Sequence, residues 1–472
     1  MMNIRGILRS SAFVAGVALA TPSGAVEVNN DGFGQVVILP VWTTTGGHST
    51  LLNVRGSSAA KLRVLGSDGA LLFSGNLYFR GGADSWTGAI GPGPDGGSQL
   101  SSNDGTCLLI AGDDGIEVMS GPVSLPADHG SVELIAMGFP AATAEADQLL
   151  AFQIQREIMT ADCNALAERW NNGNWAETPA QGMVRSSEAS TMMFANMSII
   201  QVEQGTLYDV PGVALHRYSD QVQHTRPGDG LPNLASGHDL GTDHGSTFSR
   251  VCDHGSCLED SWPTPLDAMA AVLMAESDRG DYIIDPNLGA ATDLVISFPL
   301  APYFAQRSEV DAGLTKAHVR FSTYDREGQA RVGVSCPSIQ SPGAICDGTY
   351  WGAEQAEPFF AISFNPSGEQ APSSSGLLGL PGAYRLEAPA ESGQQFDSMA
   401  PTGAFYAAYR DDTYPDLVSN NGNRYYGAPA IPVIFQQYVN GTLQGSDGIP
   451  QRANYGKAFR STRNRRVDEE YQ

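Results

Sequence analysis

The chain has 472 residues, with 51 Asp and Glu against 27 Lys and Arg and a formal net charge of −24. Its 42% hydrophobic content excludes wholesale disorder, and 54 Gly with 28 Pro argue against long helices or coiled coils and for short strands joined by tight turns. The imbalance is a shortage of base, since the only lysines are Lys61, Lys316 and Lys457, and such a surface disfavours nucleic acid and anionic lipid as partners.

At the N-terminus, Arg5 and Arg9 precede an apolar stretch from Ser11 to Ala20 and a small-residue end, Ser23-Gly24-Ala25. This order predicts an export signal over residues 1–25, cleaved after Ala25. Its removal takes away two arginines and no acid, so the charge becomes −26. The apolar stretch is about half the roughly twenty residues that a spanning helix needs, and no other run is longer, so no membrane span is expected. No Cys sits just after the cleavage point and the arginines are not adjacent, which points to general secretion. The expected location is periplasmic, cell-surface or secreted.

Strand patterns follow at Gln35 to Trp42, Ser49 to Arg55, Lys61 to Leu65, Ala70 to Phe79 and Asp84 to Ile90, each bounded by turn residues. The spacing of the turns predicts an antiparallel sandwich or barrel, and Ser67-Asp68-Gly69 reads as the clearest hairpin turn. Between Ala146 and Ile158 the pattern fits either a strand or a helical stripe. Cys163, Leu166, Ala167 and Trp170 lie at helical spacing on one face. Thr264 and Pro265 predict a helix start, with a stripe through Leu266, Met269, Ala270, Leu273 and Met274 and an end near Ser277 to Gly280. Further strands are expected at Met192 to Val202, Asp293 to Phe298, His318 to Tyr324, Phe359 to Phe364, Gly403 to Tyr409 and Ala430 to Val439. Long loops are expected from Ser219 to Pro263 and from Asn365 to Ala383.

The predicted fold is therefore mainly β, with two β-sandwich-like units, a few short helices and long loops. The predicted divisions are an N-terminal unit over 26–215 with a helical insertion, a His/Asp-rich loop over 216–263, a C-terminal β-rich unit over 264–450 and a basic tail over 451–472. Six cysteines in an exported chain imply disulfides. Proximity suggests Cys252 with Cys257, Cys336 with Cys346 and, by elimination, Cys107 with Cys163.

The segments Gln35 to Trp42, Ser49 to Val54, Asn76 to Phe79 before Trp86-Thr87-Gly88, Val132 to Gly138 and Asp293 to Pro299 together carry a resemblance. The chain resembles an uncharacterised family of exported proteins from Gram-negative bacteria, over most of its mature length. Arg55-Gly56-Ser57 departs from that pattern at the first hairpin. The resemblance implies an exported β-rich fold and a periplasmic or surface location, and no catalytic residue.

Motif chemistry is sparse. Ser58-Ala59-Ala60-Lys61 matches the S-x-x-K pattern of serine acyl enzymes but lacks the accompanying motifs, and Gly91, Gly93 and Gly96 read as a proline-interrupted turn and not as a nucleotide loop. Five of the eight histidines fall in one loop, with His216, Asp220, His224, Asp253 and His254 flanking a core of His238, Asp239, Asp243 and His244. Imidazole and carboxylate together suit a divalent metal, and the last four are the candidate ligands, although a solvated loop has the same composition. Asn29 to Gly32, Asn103 to Gly105 and Gly112 to Gly115 offer oxygen ligands to calcium but read first as turns. The basic segment holds Arg452, Lys457, Arg460, Arg463, Arg465 and Arg466, and reads either as a frayed tail or as a contact arm for its own body, another copy or an envelope protein. The expectation is a non-enzymatic exported protein with a structural or interaction role. Alternatives are a metal-dependent hydrolase on the His/Asp loop, or a binding module if Trp42, Tyr78 and Trp86 line an open cleft.

Overall fold

The computed structural model describes residues 24–138, 145–177, 183–186, 192–235, 247–280, 290–303, 318–324, 359–365 and 417–469, apart from gaps of one to five residues, with short pieces at 334–335, 345–346, 350–352, 378, 384–387 and 395–399. The fold is mainly β, with two sandwich-like units and, among the described residues, three helices: α1 (Glu145–Thr160), α2 (Cys163–Asn171) and α3 (Pro265–Leu273). Among those residues, no helix is long and apolar enough to cross a membrane.

The N-terminal unit packs two sheets face to face. One has eight strands in the order Glu27–Val28, Val213–His216, Val36–Thr43, His129–Met137, Ala59–Gly66, Leu71–Tyr78, Cys107–Gly112 and Gly115–Val118. In the other, Val123–Leu125, Ser98–Ser102, Ser85–Pro92, His48–Gly56, Met193–Gln201 and Thr206–Pro211 lie side by side. Side-chain alternation explains which sequence pattern goes where. Val36–Thr43 is buried at every position because Val37, Leu39 and Val41 enter the core between the sheets while Val36 and Ile38 face the C-terminal half. His48–Gly56 alternates because only one of its faces is covered.

The Ser67-Asp68-Gly69 turn forms as expected, with Gly69 at φ +77° and the Ala70 N–H donating to Asp68 Oδ1 at 2.9 Å. Gly130 is required by close approach, since a Cβ there would lie 1.8 Å from the Leu65 carbonyl oxygen, which accepts from Trp42 Nε1 at 3.0 Å.

The ambiguous stretch is helix α1, with Ile154 and Ile158 buried. Its successor α2 starts on the Asp162 cap and buries Leu166, Ala167 and Trp170. A bidentate pair joins the two helices, Arg169 donating to Glu157 at 2.5 and 2.6 Å. At its other end, α2 closes a sheet edge: the Asn171 side chain accepts from the Ile116 N–H and donates to the Ile116 carbonyl, both at 2.8 Å, much as a further strand would. Cys107 pairs with Cys163 at this junction, and Cys252 with Cys257 across the hairpin Thr247–Asp253 and Ser256–Trp262. Of the expected Cys336–Cys346 pair, Cys346 lies on the short strand Ile345–Cys346 while Cys336 lies outside the described residues, as does the expected strand at Gly403 to Tyr409.

Four expectations are corrected. The stretch from Ser219 to Pro263 is not one long loop, because it carries strand Gln221–His224 and that disulfide-bridged hairpin. Thr264 and Pro265 do start α3, where the Thr264 hydroxyl accepts from the Asp267 N–H at 3.2 Å. The helix ends at Leu273, earlier than expected, because Met274–Ala275 pairs with Ala428–Pro429. Every residue from Leu266 to Leu273 is buried, so α3 is a core helix with no exposed face. Finally, the basic C-terminal segment is no frayed tail. Tyr455–Arg460 pairs with Ile431–Tyr438 in a five-stranded sheet with Ala290–Ser297, Phe359–Asn365 and Tyr384–Glu387, and Thr462–Asn464 and Val467–Asp468 pair with Ser277–Gly280 and Arg424–Tyr425. The two units share their cores: Val295, Val433 and Phe435 join the inter-sheet core, and α3 packs with Val36, Ile38 and Leu215.

Candidate functional site

The C-terminal arginines donate to backbone oxygens of the body, several of them at or beside the end of α3. The last carbonyls of a helix lack internal partners and carry the negative end of its dipole. Arg465 Nη2 donates to the Val272 carbonyl at 2.7 Å and Arg463 Nη1 to that of Leu273 at 3.0 Å, so two guanidinium groups cap the end of α3. Arg463 also donates to the Ala430 carbonyl, and Arg460 to that of Gly212. Gly212 lies where a Cβ would meet Val37 Cγ1 at 2.5 Å, so only glycine brings that carbonyl in.

These three arginines line a cleft of about 290 Å³ between the Glu27–Val28 edge of the eight-stranded sheet and the C-terminal sheet. Its floor is apolar, made by Val28, Val213, Ile431 and Pro432, and its polar wall adds Asn30, Cys252 and Asp253. Three guanidinium groups against one carboxylate leave the cleft cationic. Partial removal from water and the neighbouring Arg463 charge push the Arg460 pKa down to about 10, so Arg460 remains a cation at neutral pH.

The wall carrying Cys252 and Asp253 is held from two sides. The Val26 N–H donates to the Phe248 carbonyl and the Arg250 N–H to the Val26 carbonyl, both at 2.8 Å. Behind the hairpin, buried Asp260 accepts from Tyr425 at 2.6 Å, Asn423 at 2.9 Å and Ser419 at 3.0 Å. An apolar floor under fixed cations suits a small molecule that bears carboxylate, phosphate or sulfate.

The four candidate metal ligands, His238, Asp239, Asp243 and His244, lie outside the described residues, as do Asp220 and His254. Among the described residues, no group of three or more His, Cys, Asp or Glu converges on a metal position. His216 faces Glu27 at 3.5 Å near one edge of the eight-stranded sheet. His224 is fully buried against Tyr78 at 3.2 Å and the rings of Trp170 and Trp175, on a strand that pairs with Met183–Ser186 in a separate two-stranded sheet. Nearness in sequence does not bring these two together. Trp42, Tyr78 and Trp86 are 0%, 1% and 0% exposed, so they pack in cores and form no open aromatic cleft.

Lys61 of the S-x-x-K pattern lies on a strand, where a lysine cannot fall one helical turn from Ser58. It is fully buried, donating to the Arg226 carbonyl at 2.7 Å. Burial pushes its pKa down to about 7, Asp229 partly offsetting and Arg63 adding to the shift. Beside it, Arg63 pairs with Glu133 and donates to Tyr303 at 2.5 Å, and the Tyr303 hydroxyl reaches Glu133 at 2.8 Å. Arg63, Glu133 and Tyr303 pair with one another between the sheet and the chain that covers it, with Arg63 Nε left over, so the cluster reads as a buried structural network.

Sequence reasoning marked the arginines as a tail and missed the cleft. The available signal was the spacing of Arg463 and Arg465, two apart, which puts both on one face of an extended chain. Comparison of the chain with family models, with curated proteins and with solved structures gives no match.

Proposed function

We propose that this is an exported, non-catalytic binding protein whose cleft takes a small anionic ligand, in the service of an interaction role in the cell envelope or outside the cell. The observation that carries this is the gathering of Arg460, Arg463 and Arg465 around one cleft in a chain of net charge −24. The acidic surroundings repel extended polyanions, whereas a small anion meets only the local cations, so the charge pattern favours small ligands. Export is supported by the N-terminal sequence pattern and by two disulfides, which persist in oxidising compartments.

The test is titration calorimetry of the purified chain with succinate, inorganic phosphate and sulfate at low salt. At least one should bind saturably, and Arg460→Gln should weaken it about tenfold, the loss of one charge-assisted contact. Absence of saturable binding to all three would overturn the reading.

A further inference from the structure

The two disulfides occupy opposite environments. Cys107 is 1% exposed within an apolar cluster, and its bridge to Cys163 joins residues 56 apart. Cys252 and Cys257 are both exposed, five residues apart, on directly paired positions of one hairpin. Closing so short a loop restricts the unfolded chain least, and the hairpin is already held by its own ladder, by Val26 and by the Asp260 network. This second bridge is therefore the less stabilising of the two, and it is open to attack.

Its two sulfurs are not equivalent. Cys252 lines the cleft beside Arg460, Arg463 and Arg465, whereas Cys257 does not. Exchange begins when a thiolate attacks one sulfur of a disulfide, and the rate depends on access and on the local field. A cationic cleft concentrates an anionic attacker, and Asp253 opposes this with a single charge.

We propose that Cys252–Cys257 is an exchangeable disulfide and that the arginines seat a small carboxylate-bearing thiol for attack on Cys252. The inference rests on the anion-binding reading of the same cleft. The incoming thiolate sulfur bonds to Cys252 Sγ and the bond to Cys257 breaks. Cys257 leaves with the electron pair as a thiolate and takes a proton from water. The product is a mixed disulfide at Cys252 and a free thiol at Cys257. A second thiolate attacking the ligand sulfur of that mixed disulfide releases the ligand as its own disulfide and leaves Cys252 reduced.

The experiment exposes the full chain to glutathione, which bears two carboxylates, to neutral 2-mercaptoethanol and to cationic cysteamine. Samples are quenched in acid, alkylated and mapped by mass spectrometry, with rates expressed per thiolate. Glutathione should modify Cys252 about tenfold faster than 2-mercaptoethanol at low salt, with cysteamine slowest. That preference should fall below about threefold in about 0.5 M salt and in Arg460→Gln, while Cys107–Cys163 stays intact. Equal rates for the three thiols, modification first at Cys257, or reduction of Cys107–Cys163 in step with the hairpin bridge would each overturn the inference. Succinate binding separates the two readings: binding with equal thiol rates defeats this inference alone, and failure of both defeats the anion reading as well.

Discussion

Replacing Arg463 by alanine tests whether the C-terminal segment is part of the folded body. The side chain spans two backbone carbonyls, that of Leu273 at the end of α3 and that of Ala430 just before the strand Ile431–Tyr438. Alanine removes both charge-assisted donors at these buried residues, although the Leu273 carbonyl keeps the Ala430 N–H at 3.3 Å. At about 1.5–3 kcal/mol for each hydrogen bond to a charged group, discounted for partial exposure, the loss is about 2–4 kcal/mol. That is a large share of the 5–15 kcal/mol typical of a folded domain. Arg466→Ala is the control, because Arg466 forms an exposed pair with Asp468 at 3.3 Å that solvent screens. Arg463→Lys should recover less than half of the loss, since an ammonium cannot fork to two carbonyls. Urea unfolding followed by tryptophan fluorescence measures all three. If Arg463→Ala and Arg466→Ala agree within about 0.5 kcal/mol, the segment is a surface arm and the capping argument fails.

Three further outcomes follow from the packing. Lys61 titrates near pH 7 folded and near 10.5 unfolded, so between those values only the unfolded chain holds this proton, and stability should rise with pH by up to about 1.4 kcal/mol per unit. Below pH 7 the folded chain carries the buried ammonium at its full penalty; Lys61→Met should remove the rise, and equal slopes from pH 7 to 10 in urea midpoints for both proteins would contradict it. Removing Cys107–Cys163 as a serine pair should destabilise the fold by about 4 kcal/mol, and removing Cys252–Cys257 by about 2 kcal/mol, from loop separations of 56 and 5 residues; thermal melts showing the reverse order would refute the division of roles. Gly130→Ala drives a methyl onto the Leu65 oxygen and should destabilise by about 1–3 kcal/mol or more, a wild-type melting temperature counting against that contact.

The sequence by itself determined the local elements. Continuous apolarity in Val36–Thr43 marks a strand covered on both faces, alternation in His48–Gly56 marks one covered on a single face, and Thr264 with Pro265 marks the start of α3. Each depends on neighbours within a few residues, whose spacing sets the face that a side chain occupies. Tertiary structure decided what those rules do not reach. It resolved the ambiguous stretch into α1, whose Ile154 and Ile158 pack beside α2, and it ended α3 at Leu273 through a strand pairing with Ala428–Pro429. It separated His216 from His224, and it placed Arg460, Arg463 and Arg465 around a cleft with Cys252 and Asp253, some two hundred residues earlier in the chain. A local pattern says that a segment is basic or extended. Which carbonyls its arginines reach depends on how distant strands pair, because those oxygens are brought within reach only by the assembled sheets and the buried helix.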